Sequence, residues 1–248
     1  MCMVANFLVF LPHKTEQYKI FNMKAAKILF RCLLVVIILV LAVLVMRSIM
    51  RPEKFKLIYN ERCELIKEKL ITIRDVQAVY KNETKAYFAD ADSLADYATN
   101  GTVSIIKNVG DIPEGMTEQD ALKAGLLRKE TVNISAMEKV METDATRKPE
   151  NFHNLQYVLG NSGSKFNIQT GSIASKTYEI PVYMIVVPLD DILADMDKAI
   201  TPENSSPIKK LVNKIFYSGL SEETQYRSQY KDMIMGSLTE ANTSGNWE

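Results

Sequence analysis

The chain has 248 residues, 47% of them hydrophobic and 24% charged, the make-up of a folded protein and not of a disordered one. Its formal charge is zero, yet residues 1–51 hold seven Lys or Arg and one Glu, a net of +6, whereas the rest hold 23 bases and 29 acids, a net of −6. A mildly acidic remainder lacks the basic face that nucleic-acid binding requires, so no nucleic-acid partner is expected.

In chain order, residues 1–27 form a basic N-terminal segment. Met23-Lys24 has the look of a natural start, which would place 1–22 outside the true protein. From Cys32 to Met46 no side chain is polar, and Ile28, Leu29 and Phe30 extend the run past Arg31. At the helical rise, Ile28 to Met46 covers about 28 Å, the hydrocarbon thickness of a bilayer. The following Arg47-Ser48-Ile49-Met50-Arg51-Pro52 has no small-x-small cleavage site, so residues 28–50 read as an uncleaved signal-anchor and single-pass transmembrane helix. Lys14, Lys19, Lys24, Lys27 and Arg31 precede the span, and Arg47, Arg51, Lys54 and Lys56 follow it. That balance barely orients the helix by charge, and the outward-facing reading of the soluble part rests on the signal-anchor layout.

Pro52 opens a predicted amphipathic helix over 52–82 that contains no Gly. Tyr59, Cys63, Ile66, Leu70, Ile73, Gln77 and Tyr80 recur at alternating spacings of four and three, which lines one mainly apolar seam. Such a seam either packs on the protein's own core or associates with a partner or a second copy as a coiled coil. These seven residues are the candidate interaction site.

Residues 83–236 are expected to form an α+β domain and 237–248 a polar tail. Asp92–Tyr97 reads as a helical turn and 102–109 as a strand. Thr117 caps a short helix closed by Gly125, 126–135 is extended, and 142–150 is a polar loop. Between Asn154 and Val187 the alternation of Leu155, Tyr157 and Leu159, then Phe166 and Ile168, then Tyr178, Ile180, Val182, Met184 and Val186 predicts a three-stranded antiparallel meander, with Pro181 marking an edge or bulge. Residues 190–200 and 208–217 read as amphipathic helices covering the sheet, and Ser221 as the cap of a helix running toward Met235. Trp247, the single tryptophan, is expected to fold back on the domain.

The order of elements, with Ile73-Arg74-Asp75-Val76-Gln77-Ala78-Val79-Tyr80 followed by Tyr87 and Leu94, resembles type IV pilins and type II secretion pseudopilins. It departs from them in lacking both a prepilin-type processing site before the apolar run and a Glu within it. The I-R-x-x-Q-x-x-Y helix end at 73–80, the Gly-Ser-Leu-Thr-Glu at 236–240 and the Gly-Asn-Trp-Glu at 245–248 also resemble uncharacterised single-pass envelope proteins of Bacteroidota. The resemblances imply a transmembrane helix running into a long amphipathic helix packed on a small antiparallel sheet, with further short helices. They place the anchor in a bacterial inner membrane and the domain in the periplasm.

Signals for chemistry are sparse. Cys63 is the one cysteine outside the anchor and its extension, so no intramolecular disulfide or zinc spacing can form in the soluble part. A catalytic triad there would have to use His153, and no G-x-S-x-G, Walker or dinucleotide motif occurs. Asp90, Asp92 and Asp96 lack the glycine and terminal glutamate of a calcium loop and read as a solvated helix start. The expectation is a non-enzymatic, membrane-anchored structural or interaction protein of the envelope, pseudopilin-like in assembly, with no cofactor or metal. It would meet a protein partner or itself through the 52–82 helix. The alternative is a membrane-tethered hydrolase or ligand-binding domain.

Overall fold

Helix α1 spans Pro12–Thr84. In the computed structural model, residues 12–110, 115–117, 120, 124, 126, 128–144, 146–160, 163–174 and 178–248 are described, with the side chains of 12–25 and 108 excepted. Pro52, expected to start a helix, instead lies inside α1. Its ring nitrogen cannot donate to the carbonyl of Ser48, so one rung of the helical ladder is missing there. The chain divides into two units, 1–54 with 206–218 and 55–205 with 219–248.

The first unit contains the apolar run. Its apolar side chains from Ile28 to Met46, with Ile49 and Met50, stand exposed, Leu29 at 71% and Ile49 at 63% among them, and an 18-residue window reaches a mean hydropathy of 3.3 with no part buried. A helix apolar on every side with nothing packed over it is suited to lipid. The same unit holds a helix over Pro207–Tyr217. Ser206 caps that helix by accepting from the Lys209 amide, and Pro207 occupies its first turn, where a missing N–H costs nothing.

The second unit holds the core. After α1 come α2 (Ala91–Asn100), β1 (Thr102–Val109), β2 (Arg128–Ser135), α3 (Ala136–Thr143) and a 3₁₀ turn at Pro149–Phe152. Then follow β3 (Asn167–Ala174), β4 (Glu179–Val187), α4 (Leu189–Leu193) and α5 (Met196–Ile200). The first unit's helix Pro207–Tyr217 is α6, and α7 (Thr224–Arg227) and β5 (Met233–Gly236) complete the order. Strands β1 and β2 form a two-stranded antiparallel ribbon, and a second antiparallel sheet has the order β3-β4-β5. Ile66, Leu70, Ile73 and Val76 of α1 pack with Leu94, Val140, Phe152, Leu155, Tyr183, Ile185, Ile192 and Met235 in one buried cluster. Mixed α and β content with antiparallel sheets is the expected class.

Several elements differ from expectation. Residues 155–159 form no strand beyond a single bridge between Tyr157 and Lys165. Asn154 sits at φ 58, and buried Leu155 and Val158 are three apart, a coiled spacing that alternation cannot describe. The third strand of the sheet is β5, which comes from the segment expected to continue a helix toward Met235. There Met233 and Met235 are buried while Ile234 is only partly so, the period of a strand. Gly236 ends it at φ 80, and a Cβ there would lie 2.3 Å from the Tyr183 carbonyl oxygen, so only glycine fits. Strand β5 covers β4 along Met184–Val187 alone, which leaves Pro181 where β4 has β3 as its one neighbour among the described strands. The helix expected over 190–200 is split by Asp195 at φ 54, and part of the expected 142–150 loop is the end of α3. Helix α6, expected to cover the sheet, buries none of its residues and belongs to the first unit, whereas both sheets belong to the second. The expected helix from Thr117 to Gly125 lies mostly outside the described residues, as do Cys2 and the two turns of the expected meander in part.

The tail folds back. Trp247 packs against the core cluster, Gly245 bridges to Met235, and the Glu248 carboxylate accepts from Arg74 at 3.0 Å.

Candidate interaction surface

The predicted seam is brought together on one face of α1, and that face is the domain's own core. Ile66 and Leu70 are 0% exposed and Ile73 1%. Gln77, also 0% exposed, is the polar residue that an apolar seam least tolerates unless its amide is satisfied. Its Nε2 donates to the Phe88 carbonyl at 2.9 Å and its Oε1 accepts from the Phe88 amide at 2.8 Å. That two-point clamp turns the chain after Thr84 back along the helix. Tyr80 stacks on the Phe88 ring at 3.8 Å and meets Tyr97 edge-on at 5.3 Å. At the other end of the seam, Tyr59 is half-buried against Tyr230, ring centroids 4.2 Å apart, and its hydroxyl donates to the Lys231 carbonyl at 3.3 Å. Burial raises the Tyr59 hydroxyl above the ordinary tyrosine value. Burial likewise pushes the Cys63 thiol up, opposed by a hydrogen bond with Tyr59.

The other sides of the helix are open. Leu57 is 57% and Leu65 53% exposed. The β1–β2 ribbon leaves Ile106 69% and Val109 48% exposed, and of its described side chains only Val103 and Ile134 near its base are buried. These side chains carry no pattern distinct from a surface loop or a strand face, so sequence periodicity alone does not single them out.

Beside the seam, Leu65, Glu68, Lys69 and Thr72 line one wall of a cleft of about 570 Å³, faced by Thr146, Lys148, Glu150, Asn151, His153 and residues 158–160. Lys69 braces that backbone, donating to the carbonyls of Tyr157 at 2.8 Å, Asn154 at 3.4 Å and Gly160 at 3.5 Å. Burial lowers its ammonium below the ordinary lysine value. Two cationic and two anionic side chains around one opening suit a small polar ligand with charges of both signs. Among the described residues, His153 forms no ion pair with an acidic group, and no three His, Cys, Asp or Glu gather where a metal could sit. Asp90 caps α2, accepting from the Ser93 amide at 2.8 Å. Asp92 pairs with Lys165 at 2.6 Å, and Asp96 accepts from Asn100 at 2.8 Å.

No known protein family, curated protein or solved structure matches the chain.

Proposed function

We propose that the chain is a membrane-anchored structural or interaction protein of the cell envelope. Residues 28–50 cross a bacterial inner membrane and the α+β domain stands in the periplasm, where it takes part in an assembly in the manner of a pseudopilin. The observation that carries this reading is the uncovered apolar run of α1, a helix whose later residues supply the core of the domain. Because Ile66, Leu70, Ile73 and Gln77 are occupied internally, the partner or second copy meets the 52–82 segment on its open side, at Leu57 and Leu65, and the ribbon at Ile106 and Val109.

The test is crosslinking in intact cells from Leu57→Cys and Leu65→Cys in a chain whose own cysteines are replaced by Ser. A discrete adduct, absent when the neighbouring leucine is changed to Glu, supports the reading. Unchanged monomer at both positions, with the chain in the membrane fraction, refutes it. A ligand-binding domain is the second reading, and it rests on the cleft around Lys69. A thermal shift by a zwitterionic metabolite that Lys69→Met abolishes would favour it.

A further inference from the structure

Helix α6, Pro207–Tyr217, has the face of a membrane-surface helix. Ile208, Leu211, Val212 and Ile215 follow the one-face spacing of an α-helix, and they are 77%, 61%, 43% and 45% exposed. At 100° per residue, an ordinary helical step, these four and Phe216 fall within an arc of about 140°. Lys209, Lys210, Asn213, Lys214 and Tyr217 fill the rest of the circumference. An eleven-residue helix that buries no residue fully and shows four aliphatic side chains to water is not stable on its own account, so something covers that face.

What covers it follows from where α6 is held. Arg51, 4% exposed, donates to the carbonyls of Phe216 at 3.1 Å and Ser218 at 3.2 Å, and Arg47 donates to the carbonyl of Ile215 at 3.3 Å. Two guanidinium groups one helical turn apart on α1 thus satisfy the orphan carbonyls at the C-terminal, negative end of α6. Arg47 is also the first charged residue after the apolar run that ends at Met46. The carboxyl end of α6 therefore lies at the level where the span meets the headgroups, within the same unit as the span.

We propose that α6 is an interfacial helix. Its apolar face lies in the bilayer leaflet at the Arg47 end of the span, and its lysines lie among the headgroups, where anionic lipid favours them. The chain would then touch the membrane twice, once through it at 28–50 and once along it at 207–217. This inference rests on the reading of 28–50 as a transmembrane anchor.

The full chain, with Trp247→Phe to remove its own emission, is reconstituted in vesicles of phosphatidylcholine and phosphatidylglycerol whose acyl chains carry bromine near the headgroup. Separate variants place a single tryptophan at Leu211, Ile215, Lys210 or, in the span, Leu39. Leu211→Trp and Ile215→Trp lose most of their emission relative to unbrominated vesicles, while Lys210→Trp on the opposite face keeps most of it. Equal and weak quenching at 210, 211 and 215 overturns the proposal and leaves a protein, not lipid, as the cover of this face. Leu39→Trp is read in vesicles brominated deep in the acyl chains. If it too escapes quenching the anchor itself has failed, and if it is quenched the failure belongs to α6 alone.

Discussion

Replacing Gln77 by Leu removes the clamp on Phe88 while keeping the side-chain volume close to constant. The variant strands the Phe88 N–H and C=O in a site where Gln77 is 0% exposed. Each orphaned group costs about 1–3 kcal/mol, and the added leucine returns about 1.5–3 kcal/mol through apolar burial. The net loss is about 2 kcal/mol, and at about 2–4 °C per kcal/mol for a domain of this size the midpoint falls by roughly 4–8 °C. Trp247, packed on the same core, reports the transition by fluorescence in detergent-solubilised protein. Gln77→Glu adds a check on mechanism. As a carboxylate it still accepts from the Phe88 amide but repels the carbonyl, whereas when protonated it can donate to that carbonyl, so this variant gains stability relative to wild type as pH falls. A Gln77→Leu midpoint equal to or above wild type would refute the claim that the seam is polar at this position because of the clamp.

The core and open sides of the same helix should separate cleanly. Leu70→Ala, at a fully buried site, costs about 2–5 kcal/mol in thermal or urea unfolding, whereas Leu65→Glu changes stability by less than about 0.5 kcal/mol while weakening partner crosslinking. Arg51→Ala frees the carbonyls of Phe216 and Ser218, and hydrogen–deuterium exchange should show faster exchange confined to 207–218, with Arg51→Lys intermediate. Alkaline pH should destabilise the domain. Burial raises the hydroxyls of Tyr59 and Tyr183 and pushes Tyr97 up to about 12. A pKa raised on folding contributes stability that is present below the unfolded tyrosine value of about 10 and is lost as pH rises through the folded values. Urea midpoints should therefore hold from neutral pH to about 9 and decline above about 10, with tyrosinate absorbance lagging until the fold opens.

The parts of this architecture that can be read from sequence are those governed by a single period. The apolar run is legible as a candidate membrane span from its length and composition. Strand β1 and most of β2 are bounded by Gly101 and by the change to helical spacing at Ala136. Helix α6 carries its cap, its Pro and its apolar stripe within twelve residues. What fails does so where tertiary pairing overrides local pattern. Leu155, Tyr157 and Leu159 alternate, yet Asn154 in the left-handed region and the Lys69 ammonium gathering three carbonyls coil that segment. Met233 to Gly236 is too short to announce itself as a strand and becomes one because β4 offers it an edge. The candidate seam is legible as a stripe, but the stripe is the same whether a sheet or a second helix covers it. Gln77 illustrates the difficulty, since its partner is a backbone group eleven residues away. The cleft around Lys69 combines side chains from α1 with the 146–160 segment, and no local spacing links the two.

The most direct test of the account is topological. A reporter active only outside the cytoplasm is fused after Glu248, with a cytoplasm-only reporter as its matched control, in cells expressing the full chain. Activity of the outside reporter, lost when 28–50 is deleted, is the predicted result, since only a span that crosses with its carboxyl side outward can produce it. Activity of the cytoplasmic reporter alone would contradict an envelope role and turn the search for partners to the cytosol.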